Sequence, residues 1–219
     1  NTTGASNVAV GREALVSNNT ASNNTAVGYQ AGYSNTTGSP ITAFGYQAAY
    51  TNSTAHWVTA FGYQALRDTT AGPNTAFGRA LVTNTTGTEN TAMGQNANYY
   101  NTTGSYNVAL GSSALFLNTT ASNNTAVGYQ AGYTGTTNGD GTYLGYQAGY
   151  SRTGSGNTCV GNYSGRDGTT GTDNTFAGRN SGYAITSGSK NTIIGMYNGN
   201  ADGLDIRTRS SHVVLSDGD

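Results

Sequence analysis

The sequence predicts an all-β fold, a parallel β-solenoid (β-roll) of about 12–13 coils with a period of 16–17 residues. Three observations predict it: a glycine that returns at this spacing, a short alternation before each glycine, and asparagines that recur in one column. The repeated phrase has the form N-T-A-V-G-Y-Q-A-G-Y. Its central glycines are Gly11, Gly28, Gly45, Gly62, Gly78, Gly94, Gly111, Gly128, Gly145, Gly161, Gly178 and Gly195.

Before each glycine, branched, small and bulky apolar residues alternate, which is the period-2 pattern of a β-strand. The threonine column, three positions before the glycine, holds threonine in ten copies and valine in two. The alanine column, two positions before it, contains Ala9, Ala26, Ala43, Ala60, Ala76, Ala92, Ala109 and Ala126. The apolar column, one position before it, contains Val10, Val27, Phe44, Phe61, Phe77, Met93, Leu110, Val127, Leu144, Val160 and Ile194.

After each glycine we predict a second short strand, such as residues 46–50, and then a turn rich in Asn, Thr and Gly, such as residues 34–39. Asparagine also stands four positions before the glycine in nine copies, from Asn7 to Asn191. Stacked asparagines can hydrogen-bond to one another along an axis. This column-by-column repetition favours a solenoid over a barrel or a sandwich, in which neighbouring strands need not carry the same side chains.

The composition excludes a conventional layered domain. Of 219 residues, 33 are Gly, 26 Asn and 36 Thr, whereas Leu, Ile, Val and Phe together number 30. The net charge of −1 gives no support to disorder driven by charge repulsion. We therefore predict one β-solenoid repeat domain over residues 1–200, and a degenerate last coil or the start of a following segment over 201–219.

Side-chain size suggests an orientation for the columns. We expect the apolar column to form the core of each coil, with the threonine column on the same inward face. The alanine column then faces outward, where small side chains allow a neighbouring chain to approach closely. A single coil buries only about two large apolar side chains, worth roughly 1.5–3 kcal/mol each, against an ordering cost of about 1–2 kcal/mol per residue. We therefore predict self-association as a homotrimer, with growth into a longer filament left open.

The phrases at residues 7–11 (N-V-A-V-G) and 107–111 (N-V-A-L-G) closely resemble the N-S-V-A-I-G repeat of trimeric autotransporter adhesin heads. That resemblance implies left-handed parallel β-rolls in a bundle of three chains, and twelve copies cover residues 1–200. The longer phrase N-T-A-V-G-Y-Q-A with its N-T-T-G turn also looks like repeats of phage and bacterial tail-fibre proteins that carry a C-terminal intramolecular chaperone.

Few residues suggest catalysis or metal binding. The only glutamates, Glu13 and Glu89, are more than four coils apart, so they cannot act as paired carboxylates. His56 and His212 lack neighbouring ligands at metal-binding spacing. The segment 138–141 (N-G-D-G) is a weak candidate for a cation loop, and a plain turn is the favoured interpretation. We expect no enzyme, no catalytic residue, no metal and no cofactor.

The sequence also argues against two classes of partner, nucleic acids and membranes. The 9 Lys and Arg residues are scattered singly, without the basic stripe that nucleic-acid binding requires. No run of 18 apolar residues exists, so we expect no membrane insertion. The single cysteine, Cys159, excludes a disulfide framework and is expected to pack as a small hydrophobic residue.

The tyrosines allow two interpretations. Of 16 tyrosines, eleven lie one or five positions after the glycine, so they should form stacked ladders. Such ladders can simply stabilise the fold, or they can offer aromatic surface to sugar rings. The candidate glycan contacts are Tyr29, Tyr46, Tyr63, Tyr129 and Tyr146.

These observations favour a non-enzymatic, extracellular fibre shaft or adhesin stalk of a phage tail fibre (on the virion) or of a bacterial cell surface, projecting a receptor-binding tip. Partners would be further copies of the chain and a cell-surface glycan or receptor. Two alternatives remain: glycan binding along the tyrosine ladders, and an ice-binding solenoid in which threonine columns order water. The predicted inward direction of the threonine column argues against the second.

Overall fold

The computed structural model describes residues 2–201 and 203–216, which form short strands and turns without any helix. The strand before each corner glycine recurs once per repeat, as predicted. The predicted second strand after the glycine is wrong, because those residues form successive turns. The strands are β1 (Val8–Val10), β2 (Thr25–Val27), β3 (Ile41–Phe44), β4 (Val58–Phe61), β5 (Asn74–Phe77), β6 (Asn90–Met93), β7 (Val108–Leu110), β8 (Thr125–Val127), β9 (Thr142–Leu144), β10 (Thr158–Val160), β11 (Thr175–Ala177), β12 (Thr192–Ile194), β13 (Asn200–Ala201), β14 (Leu204–Asp205) and β15 (Val213–Leu215).

The chain divides into two compact units, residues 1–107 and 108–219. In the first unit, β1–β6 pair in chain order, each parallel to the next. The register follows the repeat, so that Ala26 lies opposite Ala43 and Phe44 opposite Phe61. In the second unit, β7–β12 pair in the same way, and β15 adds the next rung after β12. The predicted parallel β-solenoid is confirmed.

Each central glycine forms a corner with a positive φ, a conformation that favours glycine. Gly45 has a φ of +134°, and a Cβ placed on it would lie 2.4 Å from the carbonyl oxygen of Gly62 in the next coil. A side chain at this position would therefore collide with backbone as well as strain the local conformation. The glycine spacing consequently sets the period of the fold.

The alanine column lies inside the coils, contrary to our expectation. Its members Ala26, Ala43, Ala60, Ala76, Ala92, Ala109 and Ala126 are fully buried, and Ala9 in the first strand is exposed. The apolar column points outward: Val10, Phe44, Phe61, Phe77, Met93, Leu144, Val160 and Ile194 are 36–56% exposed, while Val27, Leu110 and Val127 are half-buried. The predictions that the alanine column faces a neighbouring subunit and that the apolar column forms the core are both wrong.

The physical reason is the narrow interior of the coil. A Cβ placed on Gly32, four positions after the corner, would lie 3.8 Å from the Cβ of Ala26 in the strand before it. The two sides of a coil are thus so close that small side chains fit where they face each other. Hydrophobicity favoured the larger residues for the interior, but the available volume selects the smaller ones.

Asparagine ladders support the turns inside each unit, as the sequence predicted. Asn107 donates from its backbone N–H and from Nδ2 to Oδ1 of Asn90, at 3.0 and 3.1 Å. The Nδ2 of Asn90 in turn donates to the carbonyl of Gly104 at 2.8 Å. In the second unit, Asn174 makes the same pair of bonds to Oδ1 of Asn157, at 3.1 and 3.0 Å. These buried amides satisfy backbone groups that would otherwise lose hydrogen bonds to water.

Candidate functional site

The apolar column forms an exposed ridge on each unit. Its rungs are held in register by the parallel strands, and the rings of Phe44 and Phe61 stack with centroids 5.0 Å apart and an interplanar angle of 11°. Phe61 and Phe77 continue the stack at 5.9 Å. Because apolar side chains recur at every rung, the exposed surface is continuous within each unit rather than scattered. Contiguous exposed apolar surface is typical of interaction sites.

A second ridge follows the glycine corner. Tyr29, Tyr46 and Tyr63 in the first unit stack at 5.3 and 5.2 Å with interplanar angles of 18° and 10°. Tyr129 and Tyr146 stack at 5.2 Å and 20° in the second unit. All five predicted glycan contacts are thus brought into ladders, and each ring is 36–55% exposed.

Stacking decides which part of each tyrosine is available to a ligand. Between rungs, the face of one ring covers the face of the next, so that solvent reaches the ring edges, the hydroxyl groups and the outer faces of the end rings, such as Tyr63. A sugar ring packs on an aromatic face rather than on an edge. The glycan interpretation stays a prediction from the sequence, and this geometry does not favour it.

A polar ladder runs beside the tyrosine ridge. In the first unit, Gln64 donates from Nε2 to Oε1 of Gln47 at 3.3 Å, and Gln47 donates to Gln30 at 2.9 Å. Gln30 then donates to Oε2 of Glu13 at 2.7 Å. The carboxylate is an acceptor only, so it ends the chain of amide donors at the side of the first coil.

In the second unit, Arg166 contacts a glutamine that lies two positions after its own corner glycine, as the glutamines of the first unit do. Its Nε donates to Oε1 of Gln147 at 3.1 Å, and its guanidinium lies 5.5–5.8 Å from the ring centroids of Tyr150, Tyr163 and Tyr183. It also forms an ion pair with Asp167 at 3.0 Å. The guanidinium is therefore committed to neighbouring side chains of its own chain.

The threonine column shares the outward face with the apolar column. Thr42 and Thr175 are exposed, and the threonines of the other rungs are half-buried. The expected inward direction of this column is therefore wrong. The threonine lies two positions before the apolar residue in the strand, so both point outward when the residue between them faces the narrow interior. The sequence-based argument against ice binding loses its premise.

The remaining candidates for chemistry do not converge. His56 Nδ1 contacts the backbone of Ser39, and Oδ1 of Asp140 in the proposed cation loop accepts from Asn123 at 3.1 Å. Glu13 lies beside Arg12 at 3.4 Å as well as Gln30. In the part of the chain that the structure describes, no group of three or more His, Cys, Asp and Glu residues could hold a metal ion.

Sequence reasoning missed a buried cluster in the second unit. Tyr143, Cys159 and Phe176 occupy the inward position that alanine holds in other coils, and the fully buried guanidinium of Arg152 lies 4.8 Å from the Phe176 ring centroid. Burial raises the pKa of both Tyr143 and Cys159, and Arg152 opposes the shift in each. Only the structure reveals this cluster, because the room for Arg152 comes from glycines such as Gly168, where a Cβ would lie 2.3 Å from Arg152 Cζ.

Comparison with known proteins adds nothing to this geometry: no protein-family model, curated protein or solved structure matches the chain. Across residues 2–201 and 203–216, no helix has the length and apolar character needed to cross a membrane.

Proposed function

We propose that the chain is a non-enzymatic structural segment that associates with two further copies of itself through the apolar column. In this proposal the three apolar columns face a common axis, and the assembly forms the stiff shaft of an extracellular fibre. A phage tail fibre or a bacterial surface adhesin that carries a receptor-binding tip is the setting we propose. The single observation that carries the proposal is the continuous exposed apolar ridge on each unit.

The spacing of the rungs favours another copy as the occupant of the ridge. Stacked rings along it repeat at 5.0–5.9 Å. A partner surface can interlock with every rung only when its own side chains repeat at the same rise, and a second copy of this chain has that repeat. No member of the column is charged, so its burial leaves no ion without a partner.

Burial of the ridge would supply stability that one chain lacks. Each half-exposed member has roughly half of its surface still to bury, worth on the order of 1 kcal/mol per rung. Three chains about one axis cover each ridge with two others, and a closed cyclic arrangement leaves none of the ridges unpaired. The resemblance to adhesin heads and tail fibres supports the same number of chains.

Mass measurement in solution tests the proposal. The wild-type chain should have the mass of three chains, and Phe61→Asp should shift it towards the monomer because a carboxylate would be buried at the axis. Trp57→Asp is the matched control, since Trp57 is 66% exposed and lies outside the column. A monomeric wild-type chain, or equal dissociation of both variants, would refute the proposed assembly.

A second candidate is ice binding, which the outward threonine column favours. Threonines aligned in parallel strands present hydroxyl and methyl groups at regular intervals, as water ordering requires. Thermal hysteresis of the wild-type chain and of the Phe61→Asp monomer would support this function. Its absence from both proteins would eliminate it, because in the monomer the outward face is open.

A further inference from the structure

The tyrosine ladder beside the apolar column places reactive phenol groups close together at the protein surface. Tyr46 and Tyr63 are 43% and 55% exposed, and their rings lie 5.2 Å apart with an interplanar angle of 10°. Tyr29 stacks on the other side of Tyr46 at 5.3 Å. Phenols that are close, parallel and open to solvent are substrates for oxidative coupling. We infer that this ladder is a site of dityrosine cross-linking between neighbouring coils of one chain.

The reaction needs a one-electron oxidant, for which we name a peroxidase acting with hydrogen peroxide. Each of the two phenols loses one electron and one proton, and one hydrogen peroxide is reduced to two waters. The two phenoxyl radicals couple through ring carbons ortho to oxygen and form one carbon–carbon bond. The hydrogen on each of these carbons then moves to the phenol oxygen, which restores both aromatic rings. The protein loses two hydrogen atoms in total.

The geometry favours coupling within the chain. The strands hold the two rungs in register, because Phe44 pairs with Phe61 two residues before the tyrosines. The two rings are therefore held face to face, with centroids 5.2 Å apart and nearly parallel planes, so that coupling needs only a short approach of one ring to the other. An exposed ring has freedom to tilt about its side-chain torsions and close the remaining distance. Stacking also keeps the partner present throughout the lifetime of a radical.

The second unit offers an internal comparison. Tyr129 and Tyr146 repeat the stacked arrangement at 5.2 Å and 20°. Tyr146 and Tyr163 have the same centroid distance of 5.2 Å but an interplanar angle of 84°. In an edge-to-face pair, the ortho carbons of the two rings do not superpose. We therefore expect coupling of Tyr129 with Tyr146 and little coupling of Tyr146 with Tyr163.

The consequence of coupling would be a covalent staple that closes a loop of one repeat. Tyr46 and Tyr63 are separated by one 17-residue period. A cross-link across such a loop restricts the unfolded chain, as a disulfide does, and raises the unfolding temperature. The inference concerns pairs within one chain, so it does not depend on the assembly proposed above.

The test is treatment of the full chain with peroxidase and limiting hydrogen peroxide, in native buffer and in denaturant. We expect dityrosine fluorescence, a loss of two hydrogen atoms per link in the intact mass, and migration as a single chain on a denaturing gel. The yield should be several-fold higher in native buffer than in denaturant. An equal or higher yield from the unfolded chain, or cross-links formed only between chains, would overturn the inference.

Two conservative variants locate the link. Tyr46→Phe removes the middle rung and should lower the yield of cross-link within the tryptic fragment 13–67 by at least half. Tyr106→Phe is the matched control, since Tyr106 is 61% exposed and lies outside the ladders. It should leave that yield unchanged. Circular dichroism verifies that both variants keep the wild-type fold, and equal yields from the two variants would also overturn the inference.

Discussion

The two units fill the same kind of coil with different side chains. In the first unit, the inward strand position holds alanine. Large residues fill the interior after the corner, such as Leu66, four positions after Gly62, and Leu81, three positions after Gly78. In the second unit, from Tyr143 onwards, the sizes are exchanged. The inward strand residues there are Tyr143, Cys159, Phe176 and Ile193, and the residues four after the corner are Gly149, Gly165, Gly182 and Gly199.

This difference teaches that the coil conserves volume rather than residue identity. A Cβ placed on Gly149 would lie 2.2 Å from Cδ1 of Tyr143, and one on Gly182 would lie 2.6 Å from the Phe176 ring. Large residues at one position therefore require glycine at the other. The backbone period is the same in both units because the corner glycines, which do not face the interior, set it.

The largest expected effect on stability comes from removing an aromatic ring from the interior of the second unit. Phe176→Ala should cost about 3–5 kcal/mol of unfolding free energy, because the cavity adds to the lost burial. The substitution also removes the ring that lies 4.8 Å from the Arg152 guanidinium. Chemical denaturation measures this cost. Trp57→Ala, which truncates an exposed ring of the first unit, should change the stability by no more than about 0.5 kcal/mol. Similar costs for the two variants would contradict the assignment of Phe176 to the core.

A double-mutant cycle tests directly whether Gly149 and Tyr143 share the same interior volume. Gly149→Ala should cost about 1–3 kcal/mol through overlap with Tyr143. The positive φ adds a backbone strain of about 1–2 kcal/mol, which Ala49 also bears at a φ of 51° at the corresponding position of the first unit. In the Tyr143→Ala background the same methyl group should cost less, because only the backbone strain remains. Additive effects in thermal unfolding would show that the two positions do not share volume.

A buried cation sharpens the comparison further. Arg152 donates to the carbonyls of Gly165 and Ile185 at 3.1 and 3.3 Å, and it forms no ion pair with any carboxylate among the described residues. Its Nη1 has no partner. Arg152→Met should therefore stabilise the protein by about 1–2 kcal/mol, since the desolvation cost of the charge disappears.

The corresponding residue of the first unit should respond with the opposite sign. Asn52 accepts from the backbone N–H of Ala55 at 3.0 Å, and Asn52→Leu leaves that buried donor unsatisfied. We expect a loss of about 1–3 kcal/mol. Denaturation midpoints of the two variants check both signs, and a destabilised Arg152→Met would show that the guanidinium is fully satisfied.

The smallest expected effect is a dependence on alkaline pH. Burial raises the pKa of Tyr143 well above its ordinary value of 10.0. Above pH 10 the unfolded chain loses this proton while the folded chain keeps it, so stability is full below pH 10 and falls as the pH rises. Tyr143→Phe should therefore unfold at a higher pH than the wild type in an alkaline titration followed by circular dichroism. An unchanged midpoint would mean that Tyr143 is accessible to water.

Much of the fold could be predicted from local patterns. The alternation before each glycine placed strands such as β2 and β8 correctly, because a period of two is a property of the chain itself. The ladders of tyrosine and asparagine followed from equal spacing in a parallel register. The direction of each face could not be predicted in this way. Parity shows which residues share a face, but it does not show which face is inside.

The candidate site was also predictable only in part. The five tyrosines were found by counting from the glycine, and the structure brings them into ladders. That their faces are covered by one another, and that their neighbours on the ridge are exposed apolar residues, depends on distances across coils that the sequence does not contain. The burial of Arg152 was equally invisible, since its room comes from Gly165 and Gly168 in the following coil.

The amino-acid sequence by itself determined the period, the position of the strand before each corner, the parallel register and the identity of each stacked column, since all of these follow from spacing along one chain. Only the tertiary structure decided that alanine fills the coil while phenylalanine, valine and methionine form its outer ridge. The physical reason is that opposite walls of a coil approach within a few ångströms, and that distance, rather than the hydrophobicity of any residue, limits what the interior can hold.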